Sequence, residues 1–218
     1  MKKLTLITLI LFIGLTANSW ATSYVGSIVG GSTLIAISPW NTTSTSLSWT
    51  VDDDSNPGYW TYSYTFAVPS KAISHVIIEV SDNFTSNNIH KIFDSPEGPK
   101  TNTQQQGNPN MPGDMYGIKW NTTGDPLSYS FWIVTDRAPM WGDFYAKDGS
   151  IPHTEDFVYA YNSSFGQAST SPIGNGNAGG WALVPDTGTG VIPEPGTFLL
   201  LGTGLLGIAA LRYRRAKK

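Results

Sequence analysis

The 218-residue sequence contains no cysteine. That excludes a disulfide framework and a lipid-modified N-terminal cysteine, so packing and hydrogen bonds must hold whatever fold forms. Histidine is nearly as scarce, with only His75, His90 and His153. No Gly-x-Ser-x-Gly elbow, His-Glu-x-x-His helix or phosphate loop occurs, so the common hydrolase, zinc-protease and nucleotide signatures are missing. Basic residues are rare in the body of the chain. Of 13 Lys and Arg, two lie at the start and five after residue 211; of 16 acids only Glu194 lies beyond residue 190. Residues 22–190 thus hold six bases against fifteen acids, a net charge of −9. Nucleic acid and anionic lipid are poor partners for such a surface. Amphipathic helix patterns and internal repeats are also missing from this body.

Long apolar runs occur only at the two ends. Met1-Lys2-Lys3 is followed by the apolar stretch 4–15, and Ser19-Trp20-Ala21 places small residues at −3 and −1. This predicts a signal peptide, 1–21, cleaved after Ala21. At the other end, Pro193-Glu194-Pro195 precedes the uncharged stretch 197–211, and Arg212, Arg214, Arg215, Lys217 and Lys218 close the chain. The prolines lack N–H groups and fix φ, so helix cannot extend outward through them. Fifteen helical residues span roughly 22 Å, short of a ~30 Å hydrocarbon core, a gap that bilayer thinning or snorkelling arginines closes. The basic cluster keeps the terminus cytoplasmic by the positive-inside rule. A glycolipid-anchor signal is excluded by the charged tail, and no Leu-Pro-x-Thr-Gly signature is present.

The order of these parts, Pro193-Glu194-Pro195, short apolar helix and Arg-rich end, resembles the PEP-CTERM sorting signal of Gram-negative bacteria. The resemblance covers residues 191–218 and implies processing by a membrane peptidase, an exosortase, in strains that make exopolysaccharide. It further implies a single-span precursor held transiently in the inner membrane and a mature protein at the cell surface or in the extracellular matrix.

Between the two ends, aromatic and β-branched residues alternate with polar ones in short segments. Strands are predicted at 24–29, 33–38, 46–51, 59–68, 75–81, 89–93, 115–120, 128–135, 140–147, 156–162 and 181–184. In the clearest, Trp60, Tyr62, Tyr64, Phe66 and Val68 share the inner face, and Trp60 is expected to be a critical core residue. Residues 76–78 are continuously apolar, which suits a strand covered on both faces. A bulge is expected at Gly142 within 140–147. Residues 96–112 read as a long mobile or binding loop, and 169–180 and 185–190 as linkers. The predicted fold is all-β: a single, mostly antiparallel, jelly-roll-like β-sandwich over 22–184.

Three constellations carry candidate chemistry. Asp52-Asp53-Asp54 with Asn56 offers the hard oxygens that calcium takes. The alternating spacing of a dedicated loop is missing, however, and the stretch reads first as a solvated acidic turn with no cofactor. Seven tryptophans remain after signal removal, and most fall at core positions. Trp141 and Trp181 lie beside glycines and are the candidate platforms for stacking sugar rings. Asp136, Asp143, Glu155 and Asp156 are the carboxylates from which a glycosidase pair would be drawn.

The leading expectation is an exported, surface-sorted, non-enzymatic β-sandwich whose processing motif is Pro193, Glu194 and Pro195. A carbohydrate-binding module acting on extracellular polysaccharide is the alternative. A glycan hydrolase using a carboxylate pair is the second.

Overall fold

A computed structural model describes residues 22–149, 157–177, 179–185 and 204. The predicted signal peptide and the segment 186–218, except Gly204, lie outside these residues, as do Glu155 and Asp156. Among the described residues no helix is long and apolar enough to cross a membrane; of the expected span 197–211 only Gly204 is among them.

The body is all-β. One open sheet has five strands: β1 (Ser23–Val29), β3 (Ser46–Asp52), β4 (Trp60–Ala67), β9 (Ser128–Thr135) and β6 (Ile89–Ile92), in that order across the sheet. A second has six: β2 (Leu34–Ala36), β12 (Tyr159–Asn162), β11 (Phe144–Asp148), β5 (Ile73–Glu79), β8 (Met115–Asn121) and β7 (Glu97–Asn102). A two-stranded ribbon pairs β10 (Pro139–Gly142) with β13 (Ala182–Pro185). All of these strand pairings are antiparallel.

Alternation along each strand divides it between core and outer face. In β4, Tyr62, Tyr64 and Phe66 are buried while Ser63 is exposed. The inner faces of the two sheets meet ring to ring. Phe66 of β4 lies 5.1 Å from Phe144 of β11, and Trp120 of β8 lies 4.9 Å from Phe131 of β9. Offset and tilted ring pairs at such separations add to the area they bury. Trp60 departs from expectation. It begins β4 at the end of the sheet, where it is only partly buried and stacks on Tyr24 at 6.1 Å. The alternation is as predicted, but the core thins before it reaches that position.

Three predicted segments are corrected. Residues 96–112 are not a free loop. Their first part is β7, an edge strand paired with β8, and its register shifts between Glu97 and Lys100, around Pro99. A proline with no N–H to donate is tolerated at such an edge or bulge. The rest folds back onto the outer face of the six-stranded sheet, where Met111 joins Ile77, Met115 and Tyr145 in a second small core. This cover explains the apolar run in β5: Val76 and Ile78 face the main core, and Ile77 the second one.

The predicted strand 140–147 is two strands in different sheets, interrupted at Asp143 rather than bulged at Gly142.

The predicted linker 169–180 is attached to the domain. Val25 N–H donates to the Asn175 carbonyl at 3.3 Å, and the Trp49 indole N–H donates to the Gly176 carbonyl at 3.0 Å. The segment therefore covers β1, an edge strand that would otherwise offer unpaired backbone groups. Gly176 has φ +91°, and a Cβ there would lie 2.8 Å from both Tyr24 Cβ and Val25 N. Only glycine permits this approach.

Two outcomes follow. Phe66→Ala is expected to cost about 3–5 kcal/mol in urea unfolding, and Trp60→Ala distinctly less. Gly176→Ala should lower the melting temperature and speed amide exchange in β1 together, because strain and lost cover act at the same place.

Candidate functional site

A buried carboxylate sits where the chain leaves the two-stranded ribbon and enters the six-stranded sheet. Asp143, between β10 and β11, is buried. Its Oδ1 accepts from Asn162 Nδ2 at 2.9 Å, and its Oδ2 from the Gly166 N–H at 2.7 Å. Asn162 returns the tie, accepting from Phe144 N–H at 2.8 Å and donating to the Gly180 carbonyl at 3.0 Å. Glu79, the last residue of β5, accepts the Asp143 N–H through Oε2 at 2.7 Å and donates its own N–H to the Asp143 carbonyl at 3.0 Å. Gly142 makes room for that carboxylate. A Cβ there would lie 2.4 Å from Val184 Cγ2 and 2.7 Å from Glu79 Oε2.

The neighbouring Asp143 carboxylate perturbs Glu79. Burial pushes Glu79 up to about 7; the Asp143 charge adds to this, the Asp143 N–H opposes it, and Asp82 adds a smaller repulsion. Burial also raises Asp143, against the hydrogen bonds from Asn162 and Gly166. Glu79 borders a cleft of about 310 Å³ with Val80, Ser81, Asp82 and Asn83. Both oxygens of Asp143 are engaged by internal donors. The pair therefore works as a latch joining β5, β11, β12 and the loop at Gly166. Sequence reading named Asp143 but missed Glu79, whose only signal was a lone acid closing an apolar strand.

Other predicted residues are dispersed. Asp136 accepts from Asn88 Nδ2 at 3.0 and 3.2 Å and lies beside Arg137, a different set of partners from those of Asp143. Asp52 Oδ1 accepts the N–H groups of Asp54 and Ser55 at 3.1 and 2.7 Å, and Asp53 Oδ1 that of Thr22 at 2.7 Å. Asn56 Oδ1 accepts from Lys91 Nζ at 3.0 Å. Among the described residues no three His, Asp or Glu side chains are grouped to hold a metal. Trp141 is buried, its indole N–H donating to the Ser171 carbonyl at 3.0 Å, so the exposure expected beside Gly142 is not found. Trp181 is partly buried and donates to the Gln167 carbonyl at 2.9 Å. His75 is buried, and desolvation, aided by Lys119 and Lys147, lowers it to about 3. His90 stacks on Tyr59 at 4.1 Å.

The latch has a pH signature. A carboxyl whose folded pKa is raised stabilises the fold fully below its unfolded value of about 4.5, and that contribution is lost as pH rises through about 7. Relative to wild type, Glu79→Gln should gain about 2 kcal/mol between pH 4.5 and 8, read as the difference between their urea midpoints across that range. Subtracting one curve from the other cancels the opposite trend from His75, whose lowered pKa removes stability as pH falls below 6.5.

Comparison with known proteins bears on the other end of the chain. Neither a curated protein nor a solved structure matches it. Residues 191–215 match the family model of the PEP-CTERM protein-sorting motif, so the chain carries that motif, which implies export, recognition by exosortase-type machinery and sorting to the surface.

Proposed function

We propose that the chain is a surface-sorted, non-catalytic, jelly-roll-like β-sandwich that resides at the cell surface or in an exopolysaccharide matrix. The observation that carries this reading is the sorting motif at 191–215, joined to an all-β body. The sandwich reading is supported by the cross-sheet contacts of Phe66 with Phe144 and of Trp120 with Phe131. Successive connections that pass between the sheets, as from β4 to β5, β5 to β6, β6 to β7 and β8 to β9, favour the jelly-roll description.

In this reading the signal peptide is removed after Ala21 and the stretch 197–211 holds the precursor in the inner membrane. The peptidase acts at the extended Pro193-Glu194-Pro195 segment outside it. A structural role for the body is favoured by Asp143, which among the described residues is the candidate carboxylate bonded beside a second acid, since both its oxygens are already bonded within the fold.

Mass spectrometry of the protein from strains with and without the sorting peptidase tests the processing. The expected mature form begins at Thr22 and lacks Arg212 to Lys218, while the peptidase-deficient strain retains them. Replacing Pro193-Glu194-Pro195 by alanines should leave precursor in the membrane fraction. Release of that variant at the wild-type rate would remove the motif from the mechanism.

A further inference from the structure

Four separate segments meet beside the edge strand β2. Ile37, Ser38 and Pro39 follow β2, Lys71 lies in the turn between β4 and β5, Asn110 comes from the segment folded over the six-stranded sheet, and Phe157, Val158 and Tyr159 lead into β12. They line a cleft of about 470 Å³, within the range of small-ligand sites.

Its chemistry is mixed in a particular way. Ile37, Phe157 and Tyr159 supply apolar and aromatic wall, Ser38 a hydroxyl and Asn110 an amide. Lys71 supplies an ammonium at the rim. A second, Lys147 Nζ, stands 4.9 Å from the Phe157 ring centre. Among the described residues neither lysine has an ion-pair partner. Both act on Asp148, whose buried carboxyl is raised by desolvation and drawn back by the Val158 N–H, then by Lys147 and Lys71. The two ammonium groups therefore serve one locality, in a body whose net charge is −9.

The backbone adds a separate observation. Lys71 has φ +59° and Asn110 φ +57°, the left-handed region that side chains other than glycine rarely adopt. Such conformations persist where the surrounding structure over-determines them, and they cluster at ligand sites. Here they hold the cation and the amide at one cleft.

We propose that this cleft binds an acidic sugar unit of a polysaccharide chain. Phe157 and Tyr159 would contact the apolar face of the ring, Asn110 and Ser38 its hydroxyls, and Lys71 with Lys147 its carboxylate. The charge contrast selects this occupant over a neutral sugar, which offers the two ammonium groups no anion. The inference rests on the exported-protein reading only for access to such a polymer. Binding is measured on the purified chain and sorting on its mature mass, so failure of one leaves the other standing.

The test is calorimetric titration of the full chain, in mild detergent, with hexameric oligogalacturonate and with neutral maltohexaose. Lys71→Gly and Asn110→Gly are the informative variants, because glycine relaxes the left-handed backbone and should leave melting temperature equal or higher. Oligogalacturonate is expected to bind wild type at least about tenfold more tightly than maltohexaose. Lys71→Gly should weaken it by about tenfold, the scale of one charge-assisted hydrogen bond. Asn110→Gly should weaken both sugars, and Lys91→Ala, an equal charge change on the other sheet, should weaken neither. No binding at millimolar oligogalacturonate would overturn the proposal. So would equal affinity for both sugars, full affinity in Lys71→Gly and Asn110→Gly, or an equal loss in Lys91→Ala.

Discussion

The fold depends on buried aromatic rings whose polar tips are bonded to loop carbonyls. Trp40 donates to the Ser70 carbonyl at 2.7 Å, Trp49 to Gly176, Trp120 to Phe93 and Trp141 to Ser171, and the partly buried Trp181 donates to Gln167. The hydroxyls of Tyr62 and Tyr145 do the same with Arg137 and Pro109, and that of Tyr64 with Leu183 in β13. A buried N–H or O–H without a partner costs on the order of 1–3 kcal/mol, so each ring requires its loop to be in place. In a chain without cysteine these contacts occupy the role of cross-links. They differ in one respect: they form only with the core, and cannot hold a loop once the core has opened.

That coupling explains why segments rich in glycine, asparagine and serine are ordered here. Residues 169–180 bring few apolar side chains of their own. They are held because Trp49 and Trp141 reach out to their carbonyls and because Gly176 lets the backbone lie against β1. The long segment after β7 is held in the same way, by Tyr145 at the Pro109 carbonyl and by Met111 beneath it.

The Glu79–Asp143 latch answers a different problem. A strand that passes from a ribbon to a neighbouring sheet leaves backbone groups unpaired at the crossing. Asn162 and Glu79 accept the N–H groups of Phe144 and Asp143 there, using side chains in place of a ladder. The cost is two acids in one desolvated place, and the raised pKa of Glu79 reports that cost.

Most strand positions and faces were determined locally, β7 and the break between β10 and β11 being the exceptions. The period-two pattern of Tyr62, Tyr64 and Phe66 and the apolar run at 76–78 follow from which residues tolerate a pleated, half-buried surface. The sorting motif is likewise a property of linear order, since proline, apolar run and basic cluster need only be consecutive. What tertiary structure alone decided is how far each pattern is buried and what meets it from afar. Trp60 continues the alternation of β4 but lies beyond the thick part of the core. Trp141 sits beside a glycine, yet is covered because Ser171 crosses over it. Glu79 and Asp143 are 64 residues apart, and Lys71, Asn110 and Tyr159 come from three distant segments. Proximity of that kind depends on strand order between sheets, which no local periodicity encodes.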